Sequence, residues 1–185
     1  MKFSLITPSH RYQTYFDELY ESIIAQTYSN WEWIVYLNGE FKKDQLSEEI
    51  LNDDRVKIFE VYDDNTNIGY VKNKAFFLGT GDILVELDHD DILIPNCLEE
   101  LKKAFEENPD CGFVYSDNAT YHMEDGFIPY GSVYGWTHNE YEWNGKKLTA
   151  MNSFAPSSHS VSYIWYAPDH VRAWRKEVYE KIGGH

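Results

Sequence analysis

The stretch Ile83-Leu84-Val85-Glu86-Leu87-Asp88-His89-Asp90-Asp91 decides the reading of this chain. Its apolar start reads as a strand that delivers carboxylates to its own C-terminal tip. Residues i and i+2 of a strand point the same way, so Asp88 and Asp90 are expected to face one site together. Two carboxylates that close repel unless a cation sits between them. Hard oxygen ligands favour Mg²⁺, Mn²⁺ or Ca²⁺ over zinc or copper. In open α/β sheets, ligands bind just outside the carboxyl ends of the strands. A metal that neutralises a diphosphate is the use such a tip suggests. The competing reading is a solvated acidic turn, because the chain holds 31 Asp plus Glu. The cluster also suits the positive end of the helix that follows Pro95-Asn96.

The flanking sequence alternates strands with helices. Phe3 to Thr7 reads as a first strand stopped by Pro8, with an amphipathic helix running on through Gln26. Trp31 to Leu37 is a second strand ended by the turn pair Asn38-Gly39. A short helix over Lys42 to Leu51 and a third strand over Val56 to Val61 follow. A polar loop from Asp63 to Asn67 leads into a helix from Gly69 to Leu78, ended by Gly79. After the fourth strand, Ile83 to Leu87, a helix carrying Leu98, Leu101 and Phe105 stops at Asn108-Pro109. Gly112 to Ser116 is a fifth strand. This order predicts βαβ units and a mainly parallel sheet. The strands are nearly continuous apolar runs, as expected where both faces are covered. Glu86 is the exception, assigned only to a place near the sheet rim. From Asp117 to His170 the helical period gives way to aromatics interleaved with Gly, Ser and Asn, read as short strands and loops over one edge of the sheet. Trp174 to Ile182 reads as a last helix, with Trp174, Val178 and Ile182 on one face and Gly183-Gly184 at its end.

With 185 residues and 43% hydrophobic content, the chain has the size and composition of one globular domain with a full core. A net charge of −15 argues against nucleic acid or an anionic membrane as partner. It also means that an anionic substrate needs local help, from a cation or a few well-placed basic groups. Met1-Lys2 leads straight into an apolar strand, so no signal peptide is expected, and no run approaches the ~20 apolar residues of a membrane span. Cys97 and Cys111 fit no metal spacing and read as reduced, with Cys111 buried at a strand start. A cytoplasmic location is expected.

The order and spacing of several landmarks resemble the nucleotide-sugar glycosyltransferases of glycosyltransferase family 2. They are Ser4-Leu5-Ile6-Thr7-Pro8-Ser9-His10-Arg11, the run Ser22 to Trp33, Asn67-Ile68-Gly69 with Lys72-Asn73, and Gly81-Asp82 leading to Leu87-Asp88-His89-Asp90-Asp91 and Pro95. Val171-Arg172-Ala173-Trp174-Arg175 and Ile182-Gly183-Gly184-His185 follow late in the chain. The resemblance implies an α/β GT-A fold, a Rossmann-like and mainly parallel sheet flanked by helices, with an aromatic-rich acceptor-side region. It implies a single domain over 1–185, with a nucleotide-sugar-binding part over 1–116 and an acceptor-side part over 117–185.

It also implies roles. Thr7, Pro8, Ser9 and His10 would line the nucleotide pocket, His10 offering a ring face to the base or, on the plainer reading, capping the first helix. Asp88 would contact the ribose or sugar side and, with His89, belong to the donor site. Asp90 would be the direct ligand of Mn²⁺ or Mg²⁺, with Asp88 beside it, and Asp91 would orient the loop. Lys72 and Arg11 are each either a cation reaching the donor phosphates or an ordinary exposed residue. Arg172 and Arg175 are either acceptor-side phosphate forks or surface charges beside a core Trp. Trp136, Tyr163 and Trp165 are either an acceptor floor for sugar C–H faces or a cover over the sheet.

Two departures from the family pattern stand out. Asn38 occupies the place of the Asp that pairs with the base; its amide can still accept from uracil N3–H, and Asn38-Gly39 is also an ordinary turn. The family's catalytic base lies a short way beyond the Gly-Gly, past His185, so the chain is expected to be the N-terminal piece of a longer protein. The expected activity is metal-dependent, inverting transfer from a nucleoside diphosphate sugar, UDP-linked by preference, to a glycan, lipid-linked or protein-linked hydroxyl. A non-catalytic nucleotide-sugar or glycan-binding module of the same fold is the main alternative. An Asp-nucleophile phosphatase would carry its motif after the first strand, and a dinucleotide oxidoreductase needs a Gly-x-Gly-x-x-Gly that is absent here.

Overall fold

A computed structural model describes residues 1–11, 14–62, 65, 67–120, 135–163 and 169–185, with the side chains of Val161 and Tyr163 outside the description. The chain divides into two compact units, Met1–Val114 with Ala173–His185, and Tyr115–Arg172.

The main sheet is built from strands β1 (Phe3–Ser9), β2 (Trp31–Asn38), β3 (Val56–Val61), β4 (Ile83–Glu86), β5 (Phe113–Tyr115) and β9 (Arg172–Arg175), in the spatial order β3-β2-β1-β4-β9-β5. β1 pairs in parallel with β2 on one side and β4 on the other, Phe3 standing opposite both Trp31 and Ile83. β3 continues the parallel ladder beyond β2.

The period of two sorts the side chains onto two faces. On one face Trp33 meets Phe16 and Tyr20 of α1 (Phe16–Ile24), with ring centroids 5.5 and 5.9 Å apart. The buried residues of α1, Phe16, Leu19, Tyr20 and Ile23, recur at helical spacing and form one stripe. On the other face Ile6, Ile34, Tyr36 and Leu84 pack with Val71, Ala75 and Phe76 of α3 (Ile68–Phe76) and with Tyr179. Asn67 caps α3, its side-chain oxygen accepting from Tyr70 N at 2.9 Å. The remaining helices of the first unit are α2 (Glu48–Asn52), α4 (Cys97–Glu107) and α6 (Lys176–Ile182).

Several element boundaries differ from expectation. β1 runs on through Pro8 to Ser9, paired with Tyr36 and Leu37. The Ile6 carbonyl accepts from Leu87 N at 3.2 Å and so points toward β4. By the two-residue period the missing N–H of Pro8 faces that same side, where β4 has already ended at Glu86. The helix expected over Lys42 to Leu51 is broken in two, a 3₁₀ turn at Lys43–Gln45 and α2, because Leu46 and Ser47 are extended. Trp174 is not helical. It lies on β9, where Ala173 is fully buried and Trp174 stacks on Phe113 at 4.8 Å. The residue that α6 buries is Tyr179, while Ile182 is exposed. Sheet pairing overrides a helical spacing that a few residues satisfy by coincidence. Cys111 is half-buried.

The second unit holds an antiparallel sheet ordered β6-β8-β7, from β6 (Asn118–Ala119), β7 (Thr137–Trp143) and β8 (Lys146–Asn152), with helix α5 (Ser158–Tyr163) after it. Trp143 pairs with Lys146 across a two-residue Asn144-Gly145 turn in which both residues have positive φ. Such a turn matches the twist of a hairpin. Its core is Trp136 against Met151 and Phe154.

Two features hold the frame at opposite ends of the sheet. At the end where the strands begin, Glu32 is buried and its carboxylate accepts from Lys2 Nζ (2.7 Å), Ser4 Oγ (2.6 Å) and Thr80 N (2.6 Å). At the end where they finish, Gly39 has φ +125°, and a Cβ there would lie 2.7 Å from the His10 carbonyl oxygen. That carbonyl accepts from Glu40 N at 3.1 Å and Phe41 N at 3.4 Å, which ties the loop after β1 to the turn after β2.

Each feature makes a prediction. Burial alone would raise the Glu32 pKa, but the hydrogen bonds from Lys2, Ser4 and Thr80 outweigh it and hold the carboxyl at about 2. Its folded pKa is depressed, so its contribution is full above pH 4.5 and is lost as pH falls toward 2, roughly 3 kcal/mol in all. Urea midpoints measured from pH 6 to pH 3 should therefore fall more steeply in the wild type than in Glu32→Gln, which starts lower and titrates less. Gly39→Ala should cost about 1–3 kcal/mol and speed hydrogen exchange at the Glu40 and Phe41 amides.

Candidate donor-binding site

The strand order 3-2-1-4 reverses direction between β1 and β4, the kind of switch point outside whose strand carboxyl ends open α/β sheets bind ligands. Both loops that leave this point carry sequence-predicted site residues. The His10 ring after β1 meets the His89 ring after β4 edge to face, with centroids 6.3 Å apart and planes at 83°. The fold thus brings together two motifs separated by most of the first unit's sequence. Asn38 ends the neighbouring strand β2 and is half-buried.

The residues after β1 divide by orientation. Thr7 is fully buried and its Oγ1 accepts from Trp33 Nε1 at 2.9 Å, so its side chain supports the sheet rather than lining a pocket. Pro8 is half-buried. Ser9 is buried and donates from Oγ to the Arg11 carbonyl at 3.0 Å, shaping the loop. His10 and Arg11 are exposed.

The acidic tip is arranged differently from the strand alternation expected. β4 ends at Glu86, and Asp91 N donates to the Asp88 carbonyl at 3.1 Å, closing a turn over Asp88 to Asp91. The i, i+2 pair that reaches one partner is instead Glu86, at the end of β4, and Asp88, just past it. Both reach Lys72 of α3. Lys72 Nζ forms an ion pair with Glu86 Oε1, and lies 2.9 Å from Asp88 Oδ1 and 3.1 Å from Oδ2. Side-chain exposure falls from 26% at Asp88 to 13% at Lys72 and 1% at Glu86, so this is a graded descent into the core. Burial would lower the Lys72 pKa, but the Asp88 and Glu86 carboxylates overcome it and raise the value, keeping the ammonium charged. Lys72 is thus neither an exposed surface lysine nor directed at solvent.

Asp90 sits in the turn, exposed, with no hydrogen bond or ion pair among the described residues. A carboxylate offers the oxygen ligands that a hard divalent cation takes, and the oxygens of Asp90 lie outside the acidic group in which Glu86 and Asp88 come together.

His185, the last of the sequence landmarks, packs here too. Its ring lies 4.9 Å from Phe76 and 5.6 Å from Trp174, its Nδ1 is 2.8 Å from Tyr179 Oη, and its Nε2 is 3.9 Å from Glu86 Oε2. Glu86 is the residue the sequence reading missed. Its signal was a lone carboxylate inside an apolar strand, two residues before an acidic motif.

The acceptor-side candidates separate. Arg175 Nε donates to the Cys111 carbonyl and Nη2 to the Phe105 carbonyl, both at 2.8 Å, so its fork is occupied near the C-terminal end of α4. Trp136 is 3% exposed in the core of the second unit, which leaves little ring face for a sugar. Arg172 Nη1 lies 3.3 Å from His170 Nε2 in that unit. Trp165 and the Tyr163 side chain lie outside the described residues.

Comparison with known proteins agrees with this geometry. A glucosyl-dolichyl phosphate glucuronosyltransferase of Haloferax volcanii is 33% identical over 113 residues, covering 60% of this chain and 36% of the relative. The O-antigen biosynthesis glycosyltransferase WbnJ of Escherichia coli is 35% identical over 101 residues, covering 52% of this chain and 39% of the relative. The crystal structure of S. aureus TarS 1-349 in complex with UDP superposes with a TM-score of 0.65 at 18% identity, covering 98% of this chain and 49% of that TarS fragment. A mannosyltransferase of Pyrobaculum calidifontis in complex with GDP-Man and Mn²⁺ superposes at 0.58 and 14% identity, covering 99% of this chain and 47% of that one. These structures share the GT-A fold. The chain spans between a third and a half of the length of these relatives. The family description "Glycosyl transferase family 2" matches residues 4–182, and the chain belongs to that glycosyltransferase family.

Proposed function

We propose that this chain forms the donor-binding part of a metal-dependent, inverting glycosyltransferase that uses a nucleoside diphosphate sugar, with UDP as the preferred nucleotide. The observation that carries the reading is the meeting of His10 and His89 at the switch point, with Asp90 turned to solvent beside them.

Asp90, with Asp88 beside it, would hold Mn²⁺ or Mg²⁺. When bound, the cation supplies Lewis-acid stabilisation of the departing diphosphate. In a chain of net charge −15 such a cation would also screen the donor phosphates from repulsion. The chain's own groups bind and orient. His10 offers its ring to the base, Asn38 accepts from a base N–H, and Asp88 faces the ribose side. Arg11, exposed on the loop after β1, is free to approach the phosphates. Inversion requires an acceptor hydroxyl to attack from the face opposite the diphosphate, with a general base within hydrogen-bond reach. None of this chain's residues is assigned that role. The acceptor class proposed is a glycan or lipid-linked hydroxyl, in keeping with relatives described as acting on glucosyl-dolichyl phosphate and in O-antigen biosynthesis.

The test is calorimetric titration of UDP, GDP and dTDP, each with and without Mn²⁺. Tight binding of UDP only with metal is expected, and Asp90→Ala should abolish it while leaving the melting temperature unchanged. Unchanged nucleotide affinity in Asp90→Ala would sink the site assignment. Metal-dependent binding without transfer in the full-length protein would identify a binding module instead.

A further inference from the structure

Glu86 is buried, charged and placed on a strand whose other residues are apolar, which calls for a reason. Moving a carboxylate into a sheet interior is costly unless a partner compensates it, and a well-packed apolar residue would serve stability as well or better. The partner here is Lys72, which reaches in from α3 and contacts Glu86 and both oxygens of Asp88. Glu86 itself is anchored by the ladder, standing opposite Ile6 of β1. Its backbone is therefore fixed by the strand pairing that defines the switch point. Asp88, by contrast, lies past the end of β4, at the start of a turn with only partial burial. A rigid carboxylate, a shared ammonium and a less constrained carboxylate thus stand in sequence.

We propose that Glu86 is a positioning residue: through Lys72 it fixes the Asp88 carboxylate at the mouth of the donor site, and Lys72 is the internal counter-cation of this pair rather than a ligand of the donor phosphates. The inference rests on the donor-site reading above and deepens it. Its chemistry follows from valence. An ammonium has three donors, and both carboxylates draw on them, so the side chain is held toward the core and away from solvent. With one carboxylate neutralised, Asp88 and Asp90 present less mutual repulsion.

The experiment is Mn²⁺-dependent UDP titration by calorimetry, with thermal melting, on the wild type, Glu86→Gln and Glu86→Asp. Glu86→Gln should weaken Mn²⁺-dependent UDP binding by about tenfold or more, the usual effect of losing a group that orients a metal or ligand residue. Glu86→Asp keeps the charge but shortens the reach, and should also lose affinity. Wild-type affinity in Glu86→Gln overturns the inference, and wild-type affinity in Glu86→Asp alone overturns positioning in favour of simple charge. Where Glu86→Gln does not fold, Lys72→Met/Glu86→Leu removes the pair without leaving a lone buried charge. Normal melting with weakened binding then supports the inference, and normal binding overturns it. A wild-type chain that binds no nucleotide with Mn²⁺ overturns the donor-site reading itself and this inference with it, a result distinct from variants that behave as wild type.

Discussion

The parallel register of β1 between β2 and β4 is the constraint on which the site depends. Phe3 stands opposite Trp31 on one side and Ile83 on the other, and the ladders end at Ser9–Leu37 and Ile6–Glu86. A slip of one residue would turn Leu5 and Ile6 to the wrong faces and unpack both helix layers. The same register sets where each strand stops, and so where His10, Asn38 and Asp88 leave the sheet. Packing energy is collected along the strands, while the chemistry is set at their ends.

Both ends of the sheet bury a carboxylate, and both solve the problem with a lysine. Glu32 lies where the strands begin, bound by Lys2, Ser4 and Thr80, with every partner supplied by the unit's own frame. Glu86 lies where they finish, and its lysine is shared with a residue of the acidic turn. The first arrangement closes on itself and holds the fold. The second passes its constraint outward to a group at the ligand-facing edge. The difference is one of position: in a doubly wound sheet only the carboxyl ends open onto a crevice.

Much of this was legible in the residues. The alternation of apolar strands with amphipathic helices specified the α/β class, since continuous apolar runs need cover on both faces. The α1 stripe of Phe16, Leu19, Tyr20 and Ile23 follows from periodicity, and β3 lies over the residues expected of it. The hairpin at Asn144-Gly145 had a signal that went unused, because the aromatic-rich region was read by composition rather than by its turn pair. Trp174 had the spacing of a helical face and became a strand, since periodicity over a few residues does not say which neighbour is available to pair.

What the sequence by itself determined was the class of the fold and the family, because these depend on local pattern and on the order of motifs. Only the tertiary structure decided what each polar side chain does. It turned Thr7 inward to Trp33, engaged Arg175 with backbone carbonyls, buried Trp136, and drew Lys72 down onto Glu86 and Asp88. The reason is that a polar group's role follows from its partners and its exposure. Both are set by strands and helices that lie far apart in the chain and meet only when it folds.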